Sequence, residues 1–243
     1  MHEDVVGNGH PIDIASRRDA VFQIKKHISN PAGVILEIGC SSGFLLKDLI
    51  KYFPKATIIG SDVVRDPLYR LAKETPGIPL IRFDLLQSPL PEKSIDALIM
   101  LNVLEHIQND GDALRKAFSL LKPNGILVIE VPAGSFLYDD YDVELHHYRR
   151  YSIDSLHSKL LEGGFDVLRQ SHLGFLLFPA FAFIKMKNKF FRLHKKHNSV
   201  VRNLAGKTSG NAMIKMTMDL ELKLFLNILW PVEKLSIPIT VWP

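Results

Sequence analysis

Short apolar runs alternate with amphipathic segments between residue 34 and about residue 131. The apolar runs are rich in branched side chains, which is typical of parallel strands buried on both faces. They predict strands at Val34–Ile38, Ala56–Ser61, Leu80–Phe83, Ala97–Leu101 and Gly125–Val131. The segments Phe44–Phe53 and Asp112–Leu121 carry apolar residues at helical spacing and predict helices. The alternation indicates an α/β fold, with helices covering a parallel sheet.

The flanking segments extend this pattern at both ends. Arg17–Ser29 predicts a helix ahead of the first strand, with Ala20, Val21, Ile24 and Ile28 on one face. Lys122–Gly125 is a turn signal between a helix and a strand. Ser152 predicts the N-cap of a helix that runs to Glu162 and ends at Gly163–Gly164. Later elements are predicted at Phe165–Gln170 (strand), Met213–Trp230 (helix) and Ile237–Trp242 (last strand).

Three strands end in residues suited to binding an adenosine compound. The first runs into a turn between Gly39 and Gly43, whose backbone can approach a ligand closely and opens a helix N-terminus toward it. The second ends at Asp62, where a carboxylate can accept both hydroxyls of a ribose. The third ends at Asp84. The alternative is that these acids are helix caps or surface residues. Because carboxyl ends of parallel strands share one edge, we favour a binding crevice.

The residues in and before this turn indicate whether it binds a dinucleotide or a cationic ligand. Ser41 stands where a pyrophosphate-binding turn requires its middle glycine, and Glu37 places a negative charge nearby. That charge opposes a pyrophosphate and favours the sulfonium and ammonium groups of S-adenosylmethionine.

Five segments in order resemble the class I S-adenosylmethionine-dependent methyltransferases, over about residues 30 to 170. They are Glu37–Gly43, Ser61–Asp62, Phe83–Asp84, Leu101–Ile107 and Leu121–Ile129. The resemblance implies a Rossmann-like sheet of seven strands, the last antiparallel. It also implies that the turn holds the methionine part, Asp62 the ribose and Asp84 the adenine side, and that Asn102–Leu104 line the site. The implied cofactor residues are Glu37, Gly39, Cys40, Ser41, Gly43, Asp62, Val63, Asp84, Leu85, Asn102 and Val103.

The acceptor side is predicted from a polar cluster after the fifth strand, Asp139–Tyr151. The run from His147 to Tyr151 resembles a signature of one methyltransferase subgroup. We expect His147, or else His146, to lie near the acceptor and take its proton, with Tyr148, Arg149 and Arg150 binding the substrate. The alternative is that these side chains anchor the loop through hydrogen bonds and ion pairs. We expect no metal site, since adjacent histidines do not share a helix face.

The charge is divided unevenly along the chain. Residues 167–218 contain ten Lys or Arg and no Asp or Glu, whereas the rest of the chain carries 20 basic and 26 acidic residues. We interpret residues 171–232 as a helical insertion or lid within one domain, 1–243. Residues 173–197 contain an apolar run followed by lysines, which is typical of a segment that binds an anionic membrane surface. The alternative is that the apolar side chains of this segment pack on the core of the protein. Nucleic acid is disfavoured because the aromatic residues cluster instead of interleaving with the charges.

Cysteine content and the N-terminal sequence bear on localisation. The single Cys40 excludes an internal disulfide, and the first residues lack the apolar core of a secretory signal, so we expect a cytoplasmic protein, with peripheral contact to the inner membrane face through the insertion.

The sequence therefore predicts methyl transfer from S-adenosyl-L-methionine to an oxygen or nitrogen of a small-molecule or lipid-linked acceptor. An NAD-dependent oxidoreductase and a non-catalytic S-adenosylmethionine-binding protein are the alternatives.

Overall fold

The computed structural model describes residues 10–174, 177, 183, 212–227 and 237–242. The elements in chain order are α1 Pro11–His27, β1 Val34–Ile38, α2 Phe44–Tyr52, β2 Thr57–Asp62, α3 Arg65–Glu74, β3 Leu80–Arg82, β4 Ile95–Leu101, α4 Asp110–Leu120, β5 Leu121–Pro132, α5 Asp140–Glu144, α6 Ile153–Glu162, β6 Val167–His172, α7 Ala212–Asn227 and β7 Ile237–Trp242. Short 3-10 turns lie at Leu85–Gln87, Leu104–His106 and Ser135–Leu137.

The strands form one sheet in the order β3-β2-β1-β4-β5-β7-β6, and every neighbouring pair is parallel. The prediction of an antiparallel last strand is therefore wrong. A tight turn joins antiparallel neighbours, whereas a parallel strand requires a crossover connection that returns the chain to the starting edge. The connection from β6 to β7 contains the helix α7, which packs on α1, and β7 enters the sheet parallel to β5 and β6.

The sheet is buried on both faces because successive residues point to opposite sides. On one face, Leu36, Leu98 and Leu127 pack with residues of α4 and α6. On the other face, Ile35 and Ala97 pack with residues of α1 and α2. The predicted apolar face of α1 is confirmed, since all four of its residues are buried in this second cluster. The result is a three-layer α/β arrangement with a parallel sheet between helices.

Two local features differ from the sequence prediction. The helix α3 was missed because it contains few apolar residues: five of its ten residues are charged and only Leu68 and Leu71 are buried. The turn signal Lys122–Gly125 lies inside β5 as a bulge, since Ile95 pairs with Leu121 and Ala97 with Ile126. Helix α4 nevertheless ends at Leu120, directly before that signal.

Only part of the predicted insertion is described. Helix α7 packs on α1 through an ion pair between Arg18 and Asp219, 2.9 Å apart, and through buried Met218 and Ala15. The buried carboxylate of Glu221 accepts a hydrogen bond from the N–H of Gly174. Most of the predicted basic segment lies outside the described residues, so the lid remains a prediction. In the part of the chain that the structure describes, no helix has the length and apolar character required to cross a membrane.

Candidate active site

The carboxyl ends of β1 and β4 meet at the centre of the sheet. From there the chain continues outward through β2 and β3 on one side and through β5 on the other. Open α/β sheets bind ligands at such a switch point. Gly39, directly after β1, lies so near Val103 after β4 that a Cβ on Gly39 would be 2.6 Å from the Val103 Cγ2. Two predicted cofactor residues from distant segments are therefore in contact at the switch point.

The turn between β1 and α2 has left-handed backbone conformations at three of its residues. The φ angles are 74° at Gly39, 37° at Ser41 and 70° at Gly43. The N–H groups of Gly39 and Cys40 both donate to the carbonyl of Ser61, at 2.8 and 2.9 Å. The side chain of Cys40 is buried in the core cluster that includes residues of α2. A side chain on Gly43 would lie 2.3 Å from a methyl group of Leu71, so helix packing also requires glycine there.

Asp62 joins this turn to the end of β2. One of its carboxylate oxygens accepts from the N–H of Ser41 at 3.0 Å and the other from the N–H of Val64 at 2.8 Å. Since each carboxylate oxygen has two acceptor sites, these bonds leave capacity for the hydroxyls of a ribose. Val63, the residue that follows Asp62, is exposed. The geometry fits the predicted role of Asp62 and adds a second one, which is to hold the turn.

Asp84 and Leu85 lie at the end of β3. Asp84 is exposed and accepts a hydrogen bond from the N–H of Leu86 at 2.9 Å, so it caps the 3-10 turn Leu85–Gln87. Leu85 is buried. The structure therefore gives Asp84 the capping role that the sequence had left as an alternative, and its carboxylate remains accessible from solvent.

Two buried acids lie along β1 and β5 at this edge. Glu37 and Glu130 are 6% and 1% exposed. Glu130 accepts from the hydroxyl of Ser16 on α1 at 2.7 Å and from the side-chain amide of Asn102 at 3.4 Å. Asn102 itself has a φ of 52°, a conformation that asparagine adopts more readily than most residues. Buried carboxylates oppose a pyrophosphate and suit a cation, so these residues fit S-adenosylmethionine better than a dinucleotide.

The predicted acceptor residue His147 is oriented by Asp142. Its Nδ1 lies 2.9 Å from the Asp142 Oδ1. The two oxygens of Asp142 share the single Nε–H of Arg150, at 2.7 and 2.8 Å, and one of them accepts from the N–H of Asp139 at 3.1 Å. A carboxylate paired with arginine acts as an acceptor, so this contact favours the tautomer of the neutral imidazole in which Nδ1 carries the hydrogen and Nε2 is the acceptor.

Glu105 and His106 approach His147 from the turn after β4. The rings of His106 and His147 are 4.7 Å apart in an edge-to-face arrangement, and the ligand-type atoms of all three residues lie within 4.8 Å of one another. Burial raises the pKa of Glu105 to about 8, opposed more weakly by its own backbone N–H and the charge of Arg150. Partial burial and the neighbouring His147 lower the pKa of His106. At neutral pH a protonated Glu105 therefore lies beside a neutral His106.

The other residues predicted on the acceptor side do not contact Glu105 and His147 in the same way; two of them form ion pairs within the protein and two are exposed. Arg149 forms an ion pair with Asp110 at 2.6 Å and donates to the carbonyl of Gln108. Arg150 is buried against Asp142, which supports the alternative that this segment is anchored by internal ion pairs. Tyr148 is exposed, although its backbone N–H donates to the carbonyl of Glu105. His146 is also exposed and has a φ of 59°.

Asp110 is the centre of a second anchoring network. Burial opposes its ionisation, but hydrogen bonds from Lys159, Arg149 and Tyr151 lower the pKa of Asp110. Burial and the nearby Asp110 raise the pKa of Tyr151. This network ties the predicted acceptor segment to the start of α4 and to α6.

Sequence reasoning missed Glu105, Asp142 and Glu130 as members of the site. A signal existed for Asp142, because Asp139 and Asp142 form a capping box at α5. A second signal was the acid of the Leu104–Glu105–His106 segment, which follows a strand predicted to be buried. Neither signal reveals which histidine the acid approaches. Asp142 contacts His147 within the same loop, whereas the approach of Glu105 to His147 depends on the packing of distant segments.

Comparisons with known proteins show what the central part of the chain is similar to. A family profile described as a methyltransferase domain matches residues 36–129. A probable S-adenosylmethionine-dependent methyltransferase of Mycobacterium tuberculosis is 26% identical over 54% of this chain and 48% of its own. A malonyl-[acyl-carrier protein] O-methyltransferase of Halalkalibacterium halodurans is 26% identical over 44% of this chain and 42% of its own. The chain thus spans about half the length of the curated relatives it matches.

The fold is shared with solved structures. An S-adenosylmethionine-dependent methyltransferase from Mesorhizobium loti superimposes with a TM-score of 0.50 and 18% identity, over 64% of this chain and 84% of that one. This likeness establishes the fold alone. The profile match and the curated relatives show that this part of the chain is similar to S-adenosylmethionine-dependent methyltransferases.

Proposed function

We propose that the chain transfers a methyl group from S-adenosylmethionine to an oxygen or nitrogen of a small-molecule or lipid-linked acceptor. The observation that carries the proposal is the contact between Gly39 and Val103 at the switch point, with Asp62 on one side and His147 after β5 on the other. One edge of the sheet thereby combines a nucleoside-type site with a candidate base.

The cofactor side would be held by the turn and the two acids beside it. Backbone N–H groups at the start of α2 and the carboxylate of Asp62 suit the carboxylate and ribose of the ligand, respectively. Glu37 and Glu130 supply negative charge for a cationic donor. S-adenosylmethionine supplies the methyl group on a sulfonium, which makes that carbon an electrophile.

The acceptor side would align the incoming group and remove its proton. In this reaction an acceptor lone pair forms a bond to the methyl carbon while the carbon–sulfur bond breaks, so alignment is the main requirement. His147 can accept the acceptor's proton at Nε2, because Asp142 holds its Nδ1–H. Solvent-accessible His146 lacks such an orienting carboxylate among the hydrogen bonds of the described residues.

The test is transfer of labelled methyl from S-adenosylmethionine into fractions of a cell extract, with wild type and His147→Asn compared at saturating cofactor. We expect a labelled product with wild type and at least a 100-fold slower reaction with the variant. Cofactor binding without any labelled product would favour the non-catalytic binding protein. A rise in melting temperature with NADH instead of S-adenosylhomocysteine would favour the oxidoreductase.

The membrane contact through residues 173–197 is proposed from the sequence, since nearly all of these residues lie outside the described part of the chain. Its support is the apolar run followed by lysines. Co-sedimentation with anionic vesicles at low and high salt tests it. We expect pelleting that high salt weakens, and no pelleting at either salt concentration would reject the contact.

A further inference from the structure

We propose that Glu105, His106 and His147 bind one divalent metal ion of the zinc type. Their ligand atoms lie within 4.8 Å of one another, and they come from two segments, the turn after β4 and the loop before α6. The proposal concerns metal binding and stands whether or not methyl transfer is demonstrated. It replaces the sequence expectation of no metal site, which considered the adjacent pair His146 and His147 and the spacing of the acids in the loop after the fifth strand.

The first argument is the state of the Glu105 side chain. It is fully buried, and neither carboxyl oxygen accepts a hydrogen bond of normal geometry from the residues that the structure describes. Burying a polar group without a hydrogen-bond partner is unfavourable. A cation beside the two imidazoles would compensate both oxygens, because carboxylate and imidazole are the ligands that zinc combines in open sites.

The second argument is the orientation of His147. Metal-bound histidines usually donate their other ring N–H to a carboxylate, which fixes the ring and the free nitrogen. Asp142 occupies this position on His147 and is itself held by Arg150 and by the N–H of Asp139. The supporting residues of a metal site are therefore already in place around one ligand.

The geometry of the three side chains and the type of their ligand atoms limit which metal ion can bind. Tetrahedral zinc with bonds of about 2.0–2.2 Å requires ligand atoms roughly 3.5 Å apart, so the three side chains would close by about 1 Å. Two imidazoles favour zinc, cobalt or iron over magnesium, which prefers oxygen ligands. His106 is accessible to solvent while Glu105 is buried, so a fourth position would face outward. An acceptor oxygen could occupy that position, with His147 then acting as a ligand instead of a base.

The experiment uses the full chain without an affinity tag, stripped with a chelator and titrated with Zn²⁺ in competition with a chromophoric chelator. We expect one equivalent to bind and the affinity to fall at least tenfold in Glu105→Gln and in His147→Asn. His146→Asn is the matched control, because it removes an adjacent, exposed imidazole at a left-handed position that asparagine tolerates. Its affinity should stay within twofold of wild type, and excess Mg²⁺ should not compete.

Two results would overturn the proposal. One is that the stripped wild type binds less than half an equivalent, and the other is that Glu105→Gln and His147→Asn bind as tightly as wild type. If the variants do not fold, the visible spectrum of the wild type with Co²⁺ shows whether the three side chains bind a metal ion. Strong bands from a four- or five-coordinate ion with imidazole ligands support the site, and the weak spectrum of hydrated Co²⁺ rejects it. S-adenosylhomocysteine binding, measured in parallel, tests the proposed function separately.

Discussion

The two halves of the site are constructed in different ways. On the β1 and β2 side, the cradle is the turn Gly39–Gly43, which is shaped by positive φ angles and main-chain hydrogen bonds. Glycine is required at its two ends, because neighbouring side chains lie where a Cβ would be. On the β4 and β5 side, buried side chains define the geometry, with Asp142 between His147 and Arg150 and with Glu105 beneath them. The first half depends on backbone conformation and the second on buried charge.

This difference implies different sensitivities to substitution. A backbone cradle fails when a side chain enters it, with limited dependence on pH. A buried ionic cluster fails when one partner is removed or when its protonation changes, because the remaining charge stays uncompensated. Substitutions on the two sides should therefore separate cofactor affinity from stability and from pH dependence.

The largest effect is expected for Gly39→Arg. Gly39 has a φ of 74°, and even a Cβ would lie 2.6 Å from Val103. We expect cofactor affinity to fall more than 100-fold by calorimetry with S-adenosylhomocysteine. Gly77→Ala is the matched control, since Gly77 has a φ of 94° but open space around it. It should cost about 1 kcal/mol of stability and leave the affinity unchanged. Equal affinities for all three proteins would contradict the cradle.

The next effect is on stability, in Asp142→Asn. Removing one partner from a buried ion pair typically costs about 3–5 kcal/mol, because the other charge is left without compensation. We expect a loss of this size in the free energy of unfolding measured with urea. Asp112→Asn is the control, since it breaks an exposed ion pair with Arg115 and should cost less than about 1 kcal/mol. Equal losses in the two variants would show that Asp142 is not a buried anchor.

The pH dependence of stability should report on Glu105. Its pKa is about 8 in the folded metal-free protein and near 4.5 when unfolded, so the unfolded state releases the proton first as pH rises. The contribution of Glu105 to the free energy of unfolding therefore decreases between about pH 4.5 and 8, by up to about 1.4 kcal/mol per pH unit.

Glu105→Gln should remove that decrease, so that the variant gains stability relative to wild type as the pH is raised from 5 to 8. Glu92→Gln, at an exposed position, should follow the wild-type curve. Parallel curves for wild type and Glu105→Gln, determined by denaturant titration across this range, would contradict the buried neutral acid.

A smaller effect is expected for Asp62→Asn, which keeps one of the two oxygens that accept from the N–H groups of Ser41 and Val64 and replaces the other, so that the charge and one ribose acceptor are lost. We expect about a tenfold loss of affinity for S-adenosylhomocysteine, or about 1.4 kcal/mol. The control is Asp96→Asn, because Asp96 also accepts a strand N–H, from Val34, and bonds to Lys122 at the other end of β1. That control should lower stability without changing the affinity.

The contrast between a half of the site shaped by the backbone and a half shaped by buried side chains also explains which features could be predicted from the sequence. The turn Gly39–Gly43, the strand ends and the cap at Ser152 are local signals, since each depends on neighbours in the chain, and the structure contains all of them. The approach of Glu105 to His147 could not be predicted, because it depends on how the loop after β5 packs on the turn after β4. The direction of β7 was predicted wrongly, because that prediction came from the family resemblance and not from the connection between β6 and β7 in this chain.

The most direct test of the divided site is the electron density of S-adenosylhomocysteine in a crystal of this protein. We expect ribose hydroxyls within hydrogen-bond distance of the Asp62 carboxylate, the amino-acid part in the turn of Gly39, and the sulfur toward the side of His147. A ligand bound away from the switch point, or with its ribose apart from Asp62, would contradict the assignment of the cofactor site.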